Sequence, residues 1–80
     1  MPVVLRVGPW KFFFYSNEGN PLKAPHIHVR GNGGEAKISL SAPFAVMESA
    51  GLSSRELREV QNIATSYVNT LLGAYNEYFS

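Results

Sequence analysis

Two histidines, His26 and His28, lie one residue apart in the segment "KAPHIHVR", and they are the only histidines in the chain. Histidine has a pKa of about 6.5, so it exchanges protons near neutral pH, and its neutral imidazole also binds transition metals. The pair could therefore form a metal site, an acid–base pair, a surface for a partner, or an ordinary part of a strand.

An acid–base role would use the cations near the pair. One imidazole would accept the 2′-OH proton of RNA and the other would protonate the leaving oxygen, while Lys37 or Arg30 would stabilise the transition state, as in a metal-independent ribonuclease. Tyr15 would supply a further hydrogen-bond donor or stack on a base. The candidate catalytic residues are therefore His26, His28, Lys37 and Tyr15.

A metal site would need a third protein ligand besides the two imidazoles. Glu18 in the preceding loop and Glu35 across the hairpin are within reach, whereas Arg30 and Lys37 would repel a cation. The chain has no cysteine, which excludes thiolate ligands. We therefore predict no metal and no cofactor, and keep a small metal-binding protein as an alternative.

Four strands would position these residues. The β-branched and aromatic runs at 3–7 and 11–15 predict a first hairpin. The runs at 26–30 and 35–40 predict a second hairpin, with "GNGG" at 31–34 as its loop.

The second hairpin separates apolar from polar side chains when "GNGG" is its loop. The apolar face would hold Ile27, Val29, Ala36, Ile38 and Leu40, and the polar face would hold His26, His28, Arg30, Glu35, Lys37 and Ser39. A slip of one residue would mix the two sets, so the pattern predicts the register. It also places both histidines on the solvent side.

A helix is predicted over residues 54–78. Ser53 and Glu56 have the spacing of a capping box, and apolar residues then recur at steps of three and four. Residues 42–50 are predicted to form an irregular link or a short helical turn. The fold class is therefore α+β, with a four-stranded, mostly antiparallel sheet of two hairpins and one long C-terminal helix packed on one face, in a single domain covering residues 1–80.

The aromatic side chains of the first hairpin point to both faces of the sheet. Phe12 and Phe14 alternate with Phe13 and Tyr15, so one helix cannot cover both sets. A contiguous patch of exposed rings usually marks an association surface. We therefore predict that the Phe13/Tyr15 surface contacts a small cognate protein or a second copy of the chain.

The formal net charge of +1 is too small for a protein that binds nucleic acid by charge alone, so any contact with RNA would be local. A helix-turn-helix pair and a basic recognition helix are not recognisable. The N-terminal residues lack the apolar core of a signal peptide, and no apolar run reaches the roughly 18 residues that span a bilayer. These features predict a cytoplasmic protein that does not bind membranes.

Three segments resemble DUF4160, a family of small bacterial proteins of unknown function: "VLRVGPWKFFFYSNEGN", "PHIHVRGNGGEAKISL", and "GLSSRELREVQNI" with a terminal "AYNEYF". The resemblance covers nearly all of the chain. It implies a bacterial protein encoded next to a second small protein, as is common in the family, an arrangement like that of toxin–antitoxin modules. The family signature falls on Tyr15, Ser16, Asn17, Glu18, Pro25, His26, His28 and Val29.

The chain departs from the family pattern beside the histidines. "PLKAP" at 21–25 is longer than the family's short "EPP" run, and Arg30 stands where an acidic residue is common. Both departures disfavour a metal site and leave an anion-binding or RNA-facing surface open.

The leading hypothesis is a component of a toxin–antitoxin-like pair that acts through protein–protein contact, with a ribonuclease activity at His26 and His28 left open. The alternatives are a non-catalytic regulatory or partner-binding module and a small metal-binding protein. The candidate binding residues are Arg30, Glu18, Asn17 and Phe13.

Overall fold

The fold is α+β, and its sheet has five antiparallel strands in a computed structural model that describes residues 3–15 and 24–79. Neighbours in the chain are neighbours in the sheet, so β1 and β5 form its two edges. The strands are β1 (Val3–Val7), β2 (Trp10–Phe13), β3 (His26–Gly31), β4 (Gly34–Ser39) and β5 (Val46–Ala50), and the helices are α1 (Ser54–Ser66) and α2 (Val68–Tyr78). Within the described ranges, neither helix has the length and apolar character needed to cross a bilayer.

The fifth strand corrects the prediction of a four-stranded sheet. Part of the link predicted at 42–50 is β5, which pairs with β4 so that Ala50 lies opposite Glu35 and Glu48 lies opposite Lys37. Four of its five residues are exposed, so β5 lacks the apolar alternation that identifies a half-buried strand from sequence.

The single long helix predicted at 54–78 is also wrong in detail, because α1 and α2 meet at Tyr67. The φ of −108° and ψ of 20° at Tyr67 leave the helical region. The Thr65 hydroxyl donates to the Gln61 carbonyl at 2.9 Å, a contact that bends helices. The Tyr67 N–H still donates to the Ile63 carbonyl, so the break is a local bend.

The first hairpin turns at Gly8 and Pro9. Val7 lies opposite Trp10, which makes the loop two residues long and starts β2 at Trp10. Gly8 supplies a φ of 56°, the left-handed value that the first position of such a turn requires. The strand predicted at 11–15 therefore begins one residue earlier, and it ends at Phe13.

The predicted register of the second hairpin is confirmed, since Ile27 lies opposite Ile38 and His28 lies opposite Lys37. The turn itself is Asn32–Gly33, with φ values of 50° and 81°. Two successive positive φ values define the tight turn whose twist matches that of the strands. Both strands therefore extend one glycine into the predicted loop.

One face of the sheet packs against the helices. Its buried side chains and those of the helices are Trp10, Phe12, Phe14, Ile27, Val29, Ala36, Ile38, Leu40, Val60, Ala64, Leu71 and Tyr75. The Phe14 ring centre lies 5.5 Å from that of Tyr75 and 5.6 Å from that of Phe79. The opposite side of the sheet, here called the outer face, carries the side chains that alternate with this core.

Glu56 joins the start of α1 to the turn of the second hairpin. Its carboxylate accepts the backbone N–H of Ser53 at 2.9 Å, and its backbone N–H donates to the Ser53 hydroxyl at 3.1 Å, so the predicted capping box is confirmed. The same carboxylate accepts the Asn32 side-chain amide at 3.1 Å. The Ser53 N–H first, and then the Asn32 amide and the Ser53 hydroxyl, hold the pKa of Glu56 below its usual value.

We expect Glu56→Ala to lower the melting temperature by about 4 °C or more at neutral pH, because it removes a helix cap and the contact with the hairpin turn. Folding lowers the pKa of Glu56, so the ionised carboxylate stabilises the folded state. This stabilisation is complete above the unfolded pKa of about 4.3 and is lost as the pH falls through the folded pKa. Calorimetry from neutral pH down through the folded pKa of Glu56 measures the lower melting temperature of Glu56→Ala and the pH at which the difference from the wild type disappears. Asn62→Ala, at an exposed site on α1, is the control, and a Glu56→Ala effect that persists at low pH would contradict the account.

Candidate functional site

The two histidines lie in a cluster of aromatic rings on the outer face. This ring cluster consists of Phe13, Tyr15, His26 and His28. The His28 ring is central, with its centre 4.5 Å from that of Tyr15, 5.5 Å from that of His26 and 5.7 Å from that of Phe13. The sheet positions the cluster, because Phe13 on β2 lies directly opposite His28 on β3.

The prediction that both histidines face solvent is wrong. His26 and His28 are only 4% and 7% exposed. Phe13 and Tyr15 cover His28, and the His26 ring centre lies 6.5 Å from that of Tyr75 on α2. Strand alternation identifies the face on which a side chain lies, but neighbouring rings decide how deeply it is buried.

His26 also contacts the backbone that leads into β3. Its Nδ1 lies 3.2 Å from the carbonyl oxygen of Ala24, which accepts a hydrogen bond when this nitrogen carries the proton. Such a bond selects one tautomer and fixes the ring orientation. The His26 ring therefore helps to anchor the start of the strand.

The predicted exposed aromatic patch is absent at Phe13, which is 2% exposed. The Arg30 guanidinium carbon lies 5.3 Å from the centre of the Phe13 ring, a cation–π contact, and the Tyr15 ring meets it edge to face at 5.2 Å. Long side chains on neighbouring strands thus cover a ring that a helix does not reach. Phe13 is part of the molecule's interior, so the prediction that it is exposed is wrong, and its role in binding stays a prediction.

Hydrogen bonds connect the ring cluster to an ion pair at its edge. The Tyr15 hydroxyl donates to Glu35 at 3.2 Å, and Arg30 Nη2 donates to the same carboxylate at 2.7 Å. Burial, and then the Glu35 carboxylate, raise the pKa of Tyr15, so the phenol is neutral at neutral pH. Arg30 and Glu35, predicted from sequence to share a face, thus form one polar network with Tyr15.

A cleft of about 180 Å³ lies beside the ring cluster between β3, β4 and β5. It is lined by His28, Glu35, Ala36, Lys37, Glu48, Ser49 and Ala50. Lys37 lies opposite His28 on one side and opposite Glu48 on the other. The cleft therefore combines an imidazole, an ammonium and two carboxylates, a set that could transfer protons or hold a small charged group.

The cleft includes only part of the predicted catalytic set, although all four residues are neighbours on the outer face. His28 and Lys37 line the cleft, whereas His26 and Tyr15 lie outside its lining. Glu48 was missed, because its strand was predicted to be a link and no motif identified it.

The predicted binding residues Asn17, Glu18 and Arg30, and the predicted absence of a metal site, remain to be compared with the structure. Asn17 and Glu18 lie outside the residues that the structure describes, so their proposed roles stay predictions. Over 3–15 and 24–79, no group of three or more histidine, aspartate or glutamate side chains is placed to hold a metal ion. Arg30 is on the outer face with an exposed guanidinium paired to Glu35.

We expect His28→Ala to lower the free energy of unfolding by about 2 kcal/mol or more, because it leaves a cavity at the centre of the ring cluster. His28→Phe keeps the ring volume and should destabilise less. Urea unfolding of both variants, with Ser49→Ala at an exposed site as the control, measures the difference. Wild-type stability of His28→Ala would mean that the cluster does not support the fold.

Comparison with known proteins places the chain in one family. The family model described as a domain of unknown function, DUF4160, matches residues 10–76. No curated protein and no solved structure gives a significant match. Because the match to the family model covers most of the chain, the protein is a member of the DUF4160 family.

Proposed function

We propose that this protein is the binding component of a two-protein module of the toxin–antitoxin type, and that it acts through contact with a second protein. The observation that carries the proposal is the open edge of the sheet at β5. Residues 47–50 are all exposed, with Met47 at 52%.

β5 offers unpaired backbone groups to a partner. It pairs with β4 on one side, and none of the strands described here lies on its other side. Half of the N–H and C=O groups of an antiparallel strand point away from its neighbour, so an open edge is a template for a further strand. An extended partner segment could add to β5 by this route.

The other edge of the sheet is less suited to the same role. Val4 and Leu5 of β1 are half-buried against the core, and β1 contacts α2. A helix that packs over an edge strand limits the approach of another chain. This contrast favours β5 as the contact site.

Glu48 near the centre of β5 favours a different protein over a second copy. Antiparallel pairing of two β5 strands centred on Glu48 would place two carboxylates opposite each other, which is destabilising. Pairing centred on Met47 would place each Glu48 opposite Val46, without a cation. A partner strand with lysine or arginine opposite Glu48 would gain a favourable cross-strand pair instead.

Burial of the ring cluster supports contact over catalysis. A ribonuclease that uses two imidazoles must bring both within hydrogen-bonding distance of the reacting oxygens. His26 and His28 are covered by rings and by the core, which restricts that approach. Their packing instead joins β2 to β3 through the contact of Phe13 with His28.

The test uses the product of the gene adjoining this one, because DUF4160 proteins are often encoded beside a second small protein. We expect the two proteins to form a complex, and Met47→Lys to weaken it about tenfold or more by placing a charge on the edge strand. Thr70→Lys adds the same charge at an exposed position of α2 and should have little effect. Isothermal titration calorimetry measures both affinities.

Ser49→Pro is a second variant on the same strand. Ser49 lies opposite Ala36 on β4. The two-residue turn closes with the Gly31/Gly34 pair, and bonding alternates along β4, so the backbone groups of Ala36 point to β3. The Ser49 N–H is therefore expected to face away from β4. Proline removes this donor, which an added strand would use. Absence of a complex, or equal affinities for the edge variants and Thr70→Lys, would contradict the proposal.

A second candidate function is RNA cleavage at the cleft, favoured by the direct pairing of His28 with Lys37. His28 would act as the base that takes the 2′-OH proton, and Lys37 would stabilise the charge that develops on the phosphate. The 2′-oxygen would attack the phosphorus, the P–O5′ bond would break, and the leaving 5′-oxygen would take a proton from water. This route needs no metal and leaves a 2′,3′-cyclic phosphate and a 5′-hydroxyl.

Incubation of the protein with an RNA oligonucleotide in EDTA tests this candidate. If it holds, His28→Phe and Lys37→Met lower the cleavage rate by about 100-fold or more, whereas Arg58→Met, at an exposed site on α1, does not. His28→Phe is used because it keeps the ring packing. Uncleaved RNA, or equal rates for all variants, would rule the candidate out and leave the binding function alone.

A further inference from the structure

We infer that three cations in a row across the outer face, Arg6, Lys11 and Arg30, bind an acidic segment of a protein. These three residues are called the cation row below.

The sheet register places the cation row. Arg6 on β1 lies opposite Lys11 on β2, and Lys11 lies opposite Arg30 on β3. Directly opposed side chains share a face of the sheet, with their Cβ atoms about 4.5–5.5 Å apart. All three residues are exposed, so three positive charges stand side by side across three strands.

The charges of the cation row are only partly neutralised within the chain. Glu35 continues the row on β4 and pairs with Arg30 at 2.7 Å. In the part of the chain that the structure describes, Arg6 and Lys11 take part in no ion pair. Like charges directly opposite each other destabilise a sheet, so the row costs stability that an anionic ligand would restore.

The chemistry of the outer face favours carboxylates over RNA as that ligand. Binding of single-stranded RNA uses exposed rings on which bases stack, but Phe13 and His28 are buried here. Glu35 and Glu48 lie further across the same face and would repel a phosphate backbone that continued past the row. A short acidic protein segment can place its carboxylates over the row and end there.

The cation row is a separate surface from the β5 edge, because it lies across β1, β2 and β3, at the end of the sheet away from β5. The inference therefore goes beyond the proposed function and stands without it. Its test uses a defined probe and does not require the product of the adjoining gene.

The experiment measures fluorescence anisotropy of a labelled oligoglutamate peptide as the protein is added, at low and at physiological salt. We expect Lys11→Gln, at the centre of the row, to weaken binding about tenfold, since it removes one charge-assisted contact. Arg6→Gln, at the end of the row, should act in the same direction. Arg58→Gln removes the same charge from an exposed site on α1 and should change affinity less than about twofold.

A single-stranded RNA of equal charge is expected to bind more weakly than the peptide. Without ligand, Lys11→Gln should raise the melting temperature, because it relieves repulsion within the row. No binding of the peptide, equal losses for Lys11→Gln and Arg58→Gln, or tighter binding of the RNA would each overturn the inference. So would a lower melting temperature of Lys11→Gln, which would make the row a structural element.

Discussion

The turn at Asn32–Gly33 sets the strand register on which the rest of the structure depends. Positive φ at both residues limits the loop to two residues and places His28 opposite Lys37 and Ile27 opposite Ile38. A shift of one residue would move the apolar side chains of β3 away from the helices. Glu56 at the start of α1 accepts a hydrogen bond from Asn32, so helix and hairpin support the same arrangement.

This register gives the outer face a buried centre and a charged rim. At the centre, Phe13, Tyr15 and His28 pack on one another without a helix above them. Around them lie exposed cations on β1 to β3 and carboxylates on β4 and β5. The groups most open to another molecule are therefore these charges and the edge of β5, while both histidines are buried beneath this surface.

Sequence reasoning predicted the features that depend on local patterns. The alternation of 26–40 indicated the register, and the spacing of Ser53 and Glu56 indicated the helix start. It missed β5, because an edge strand exposed on both faces shows no apolar period. It also missed the burial of His28, since this depends on rings from another strand, and the cation row, since this depends on pairings between β1, β2 and β3.

The contrast between the buried histidines and the exposed edge leads to the central proposal, that this protein acts through contact at β5. The most direct measurement is a map of backbone amide chemical shifts of the labelled protein as the unlabelled product of the adjoining gene is added. The account predicts the largest changes at Val46–Ala50, with new protection from exchange at amides that face away from β4, such as that of Ser49. Changes centred on His26 and His28, with β5 unaffected, would contradict it.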